Sequence, residues 1–195
     1  MTLSLRTQSI IFLPVLLVMP EFAQAHTGIG EFSGLAHGML HPFSGLDHLV
    51  AMIAVGLWAA QSGGRALWLA PTVFVLVMAM GGQLGMSVNP LYLNEAGILA
   101  SLLVLGTLIA ASIRLPLFLS LALVGLFALF HGYAHGAELP HSVSALSYML
   151  GFMLSTAMLH FAGVLMATLL AKNGGSYVLR LAGLLIAVFG LCIAG

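Results

Sequence analysis

Charge is what this chain is shortest of. Lys, Arg, Asp and Glu make up 5% of its 195 residues, against about 25% in a soluble domain. So few charges cannot coat a water-facing surface, which excludes an ordinary soluble fold. The formal net charge is zero and no basic run occurs, so nucleic acid is not a partner. Cysteine is nearly absent. Cys192 stands alone, so no internal disulfide can form, and its place in a terminal apolar run predicts a small buried hydrophobe. No phosphate-binding P-loop is present, which excludes transport powered by this chain's own ATP hydrolysis. No HExxH motif is present either, which removes the intramembrane metalloprotease that such a motif would signal.

What is present is apolar: 61% of the residues are hydrophobic, and the oddity among the rest is eight histidines. Residues 1–25 have the three parts of a secretory signal. Arg6 is the positive region, Ile10 to Met19 the apolar one despite Pro14, and Ala23-Gln24-Ala25 a small-x-small cleavage site. The apolar run is about half of the 20 residues a span needs. Cleavage after Ala25 would make His26 the mature N-terminus, outside the cytoplasm, and leave an apolar domain over 26–195.

That domain divides into apolar stretches over 44–62, 66–88, 95–113, 115–137, 142–171 and 176–194. Each approaches the length that crosses about 30 Å of hydrocarbon, so the expected fold is an all-α bundle of six transmembrane helices. The shorter stretch 30–41 is either a half-helix or an extension of the first span through a kink at Pro42. With the N-terminus outside, Arg65, Arg114, Lys172 and Arg180 all fall at cytoplasmic ends, as the positive-inside rule requires. Glu31, Asp47, Glu95 and Glu138 fall toward the other face. The expected location is therefore the bacterial inner membrane, with both termini periplasmic. Glycines spaced by four, Gly30, Gly34 and Gly38, then Gly132 and Gly136, predict close helix packing in lipid. The scattered methionines read as packing fillers.

Ionisable groups within a membrane are costly and mark function by default. Here they cluster twice, in His37-Gly-Met-Leu-His41-Pro-Phe-Ser-Gly-Leu-Asp47-His48 and in Phe130-His131-Gly-Tyr-Ala-His135-Gly-Ala-Glu138. His131, His135 and Glu138 stand at i, i+4 and i+7, on one helical face. Two histidines one turn apart can chelate a divalent ion. Glu138 lies about 10 Å along the axis from His131 and is expected to complete the site only if the helix unwinds near Gly136. His37 and His41 are also i, i+4, and a break between Pro42 and Gly45 would gather His41, Asp47 and His48 around one point. Nitrogen and oxygen donors without cysteine suit nickel, cobalt, copper(II) or zinc. The amine and imidazole of a mature His26 would add a compact chelate for square-planar nickel(II). His141 reads as a solvated loop histidine, and His160, deep in the fifth stretch, as a relay on the exit path.

His41-Pro-Phe-Ser-Gly-Leu-Asp47-His48 resembles the HxxxxxDH signature of the HupE/UreJ permeases. Phe130-His131-Gly-Tyr-Ala-His135-Gly-Ala-Glu138 resembles their second signature, FHGxxHGxE. Order, spacing, leader and span pattern agree along the whole chain. The resemblance implies import of nickel, in some members cobalt, for maturation of hydrogenase or urease. It also implies that His41, Asp47, His48, His131, His135 and Glu138 are the functional positions. The metal is cargo; no resident cofactor is expected, nor an enzymatic activity, and the partners are the ion and the bilayer. Two rivals remain. A haem-binding membrane cytochrome would use paired histidines, leave Asp47 and Glu138 without a role, and show a Soret band. A non-transporting metal-binding subunit would not carry metal into proteoliposomes. The two signatures are expected to pack together near the outer half of the bundle and share one ion.

Overall fold

The computed structural model describes residues 30–87, 94–139 and 143–194. The expected signal peptide, His26 and His141 lie outside these. Every described element is helical. Helix α1 is Gly30–Leu40, followed by a 3-10 turn, His41–Phe43. Then come α2 (Leu46–Ser62), α3 (Ala66–Ser87), α4 (Asn94–Ala111) and α5 (Leu117–Ala137). A last helical stretch, Ala145–Ile193, is interrupted at Gly175, where φ is 66°, which separates α6 (Ala145–Lys172) from α7 (Gly175–Ile193).

Among the described residues four helices, α3, α5, α6 and α7, are long and apolar enough to cross a membrane. The segment Gly34–Phe43 and helix α2 pass the same test only together, as a pair bent by 82°. The expected span over 95–113 corresponds to α4, whose apolar part, Glu95–Ala111, is shorter than the others. Stretch 30–41 thus meets α2 at a steep bend rather than continuing it straight. The outer surface fits lipid. Trp68, Phe118, Leu126, Leu154 and Phe161 are all exposed large apolar side chains, a coat that soluble monomers rarely carry. Cys192 is exposed on this coat, against the expectation of burial. A thiol costs little in hydrocarbon, so hydropathy does not distinguish the lipid face from the core.

Helix α2 is the centre. Ala51, Met52, Ala54, Val55, Leu57, Trp58 and Ala59 are all buried, and α6, α4 and α3 pack around it. Glycine sets how closely the helices approach. A Cβ at Gly132 would overlap the Met78 carbonyl, and one at Gly136 the Gly82 carbonyl, so α3 and α5 meet backbone to backbone. Gly38 meets the Tyr148 carbonyl in the same way, joining α1 to the start of α6. The α2–α3 turn reverses through Gly63 and Gly64 at φ 69° and 53°, the left-handed region that favours glycine. Arg65 follows it. The carbonyls at the end of α4 are taken up by neighbours: Gln61 Nε2 donates to Ile109 O at 3.0 Å, Trp58 Nε1 to Ile113 O at 3.3 Å and Arg180 Nε to Ala110 O at 2.8 Å.

Candidate metal centre

The chain breaks where its chemistry lies. Pro42 cannot donate a backbone hydrogen bond, so α1 tightens into the 3-10 turn and stops. The Ser44 hydroxyl donates to His41 O at 2.6 Å and seals the turn. Gly45 is extended, with φ −118° and ψ 124°, and starts α2 in a new direction. Asp47 and His48 then fall in the first turn of α2, where the helix dipole favours a carboxylate. A Cβ on Gly45 would stand 2.6 Å from Asp47 Oδ1 and 3.0 Å from His48 Nδ1. A side chain there would displace the contact between them, in which His48 Nδ1 donates to Asp47 Oδ1 at 2.9 Å.

Helix α5 supplies the other half. His131 is fully buried and its Nδ1 donates to Phe127 O at 2.9 Å. His135, one turn on, is also buried. Glu138 caps the helix end. Its Oε2 lies 3.1 Å from His41 Nε2 and 3.8 Å from His135 Nδ1. The helix stays regular through Gly136, so the unwinding expected there is not needed. Glu138 reaches back over the last turn toward His135 rather than down to His131.

The break and the end of α5 meet. The His135 ring stands between those of His41, at a centroid distance of 4.6 Å, and His48, at 4.3 Å. His48 lies 5.4 Å from His131. Ligand atoms of His41, His135 and Glu138 all lie within 4.8 Å of one another. His48 Nε2, His131 Nε2 and both His135 nitrogens are buried without a hydrogen-bond partner. A buried imidazole nitrogen normally has one. With Nδ1 of His48 and of His131 spent as donors, each Nε2 presents a lone pair to its surroundings. A hydrogen bond that fixes the far nitrogen of a histidine is how metal-ligating imidazoles are oriented. The His41 contact holds the Glu138 carboxyl below its usual range, against the opposing effect of partial burial.

His41 does not gather with Asp47 and His48 around one point. It turns to Glu138, and Asp47 serves His48. His37 is exposed on α1, outside the trio of ligand atoms. His160 is buried and separate from the cluster. Phe74 lies between, its ring 5.6 Å from His131 and 4.9 Å from His160. Beyond, His160 borders a cavity of about 350 Å³ between α3 and α6, lined also by Trp68, Pro71 and Thr72. Both His160 nitrogens lack hydrogen-bond partners.

Sequence reasoning missed three aromatic neighbours. Phe152 lies 4.2 Å from the His135 ring, Tyr148 lies 5.6 Å from His41, and Phe74 sits as described. Apolar surroundings make each read as core. Only the Tyr148 hydroxyl, buried and without a partner, sets one of them apart, and burial is not visible in the sequence.

A family model described as "HupE / UreJ protein" matches residues 14–193. Protein HupE of Rhizobium leguminosarum bv. viciae is 42% identical over 177 residues, which cover 91% of this chain and 92% of that protein. No solved structure matches the chain. A match along nearly the whole length, with both signatures inside it, places this membrane protein in the HupE/UreJ family.

Proposed function

We propose that the protein is a permease that imports nickel(II), with cobalt(II) as the alternative cargo, across the bacterial inner membrane for hydrogenase or urease maturation. The observation that carries this reading is the convergence of His41, His135 and Glu138 beside unpartnered buried imidazole nitrogens. Uncharged histidines and one carboxylate can replace the water of a divalent ion without burying much charge. Such donors suit nickel and cobalt better than the softer copper(I).

In this reading the chain has six spans, α2 to α7, and both termini are periplasmic. Glu138 and His41 lie toward the outer face and Arg65, Arg114 and Lys172 toward the cytoplasm. His26, as a mature N-terminus, captures metal through its amine and imidazole, and His37 lies along the approach. Asp47 holds His48 in its ligating tautomer. Movement inward follows the membrane potential, worth about 2.3 kcal/mol per charge per 100 mV. His160 is the next nitrogen on the way. The test is uptake of labelled nickel into proteoliposomes containing this chain alone, with cobalt and zinc as competitors. Uptake that nickel or cobalt suppresses more strongly than zinc is the expected result. No uptake, or competition by zinc as strong as that by cobalt and by unlabelled nickel, would remove the reading.

A further inference from the structure

The donors around His135 are not arranged about one point. Exposure falls steeply along them: the side chain of Glu138 is 59% exposed and that of His41 23%, while the His135 side chain is 2% exposed and His131 is fully buried. Nδ1 of His135 faces Glu138. His41, Glu138 and His135 form a trio within 4.8 Å at the exposed end. The buried, partnerless Nε2 atoms of His48 and His131 belong to rings beside this trio, that of His48, whose side chain is 14% exposed, lying 4.3 Å from His135. His135 therefore belongs to two donor sets at once.

We infer that the site holds its ion at two successive positions, one at the rim and one below it, and that the His135 ring passes the ion between them. The inference rests on the metal-import reading above. At the rim the ion takes Glu138, His41 and Nδ1 of His135. Below, it takes Nε2 of His135 with Nε2 of His48 and of His131. A neutral imidazole has one lone pair, so its proton sits on Nε2 in the first state and on Nδ1, facing Glu138, in the second. One proton leaves Nε2 and one arrives at Nδ1, both exchanged with the ion's own water, so the transfer moves no net proton. Two divalent ions on one ring would repel strongly in a medium of low dielectric, so the positions fill alternately. The rim trio already lies within 4.8 Å, whereas among the described residues His48, His131 and His135 form no such group, so those rings must turn in. Capture is thus preformed and commitment follows it.

The experiment compares nickel binding to the purified full-length protein, by calorimetry, with labelled nickel uptake into proteoliposomes. Wild type that neither binds nor carries nickel would end the import reading itself, and this inference with it. Given a wild type that does both, His131→Ala and His131→Gln are expected to keep nickel affinity within about tenfold, while maximal uptake falls by about 10–100-fold. His41→Ala and Glu138→Gln are expected to weaken binding and raise the half-saturating concentration, with uptake restored at high nickel. Unfolding midpoints of all four variants distinguish these losses from misfolding. If the His131 variants lose binding as fully as the rim variants, and rim variants do not recover at high nickel, one position holds the ion and the inference is wrong.

Discussion

Nε2 of His41 lies 3.1 Å from Oε2 of Glu138 across 97 residues of sequence, and this contact ties the broken end of α1 to the end of α5. Each group belongs to a different signature. The pair therefore joins the two halves of the candidate site directly, without a shared helix.

The contact has a pH signature. Hydrogen bonding from His41 lowers the pKa of Glu138 from 4.5. A carboxyl with a depressed folded pKa contributes stability that is present above its unfolded value and is lost as pH falls through the folded one. The carboxylate is more than half exposed, so the contribution is small. We expect the unfolding midpoint of the solubilised protein to exceed that of Glu138→Gln at neutral pH, and the gap to close below pH 4.5. A gap unchanged by acid would detach the carboxylate from the ring.

Gly45 should tolerate no side chain. Ala there would press on Asp47 and His48 within 3.0 Å and turn the imidazole from its bond with the carboxylate. We expect Gly45→Ala to cut nickel uptake about 10–100-fold, as losses of an orienting partner do, with little loss of expression. Uptake at the wild-type rate would show that the His48 orientation is immaterial.

Two glycines of α5 should behave oppositely. A Cβ at Gly132 meets the Met78 backbone, whereas one at Gly125 meets only Val73 and Val77 methyls at 3.8 and 3.9 Å. Gly132→Ala is expected to destabilise by about 1–3 kcal/mol, and Gly125→Ala to be neutral or slightly stabilising by about 0.5 kcal/mol or more through helix propensity. Thermal unfolding in detergent measures both. Equal effects would mean that α3 and α5 do not meet backbone to backbone.

Tyr148→Phe separates packing from chemistry. The ring remains beside His41, and only a buried hydroxyl without a partner is removed. Stability should hold or rise, because an unsatisfied polar group is costly. If the hydroxyl bonds to water on the incoming ion, uptake should fall about tenfold. Unchanged uptake would make Tyr148 a wall and nothing more.

Reporter fusions test the orientation. One placed in the Gly63–Arg65 turn should score cytoplasmic and one at Gly195 periplasmic. A cytoplasmic C-terminus would show that α4 or the bent pair does not cross.

The polar residues were legible in the sequence because a membrane makes them so. Two clusters of histidine and carboxylate stand out against apolar runs, and Pro42 and Gly45 announced the break between His41 and Asp47. The partners within each cluster were not legible. Spacing put Glu138 two turns from His131 but could not show it folding back to His135, or His41 reaching across to it. Phe74, Tyr148, Phe152 and Cys192 were misjudged or missed for one reason: lipid is as apolar as the core, so hydropathy carries little contrast between the faces of a helix. Close approach was readable where glycines recur, as at Gly132 and Gly136, because only their lack of a side chain allows it.

Backbone contact between α3 and α5 has a mechanical corollary. Two helices locked carbonyl against glycine at Gly132 and Gly136 cannot slide or rotate past each other without collision. His131 and His135 therefore ride on a stiff anvil. The facing donors hang from a 3-10 turn and an extended glycine, joints with few bonds to break. Any change in the spacing of these donors to suit an ion of another radius must be supplied from residues 41–45. Variants selected to favour a larger or smaller cargo should carry their changes in that short joint and leave the α5 glycines untouched.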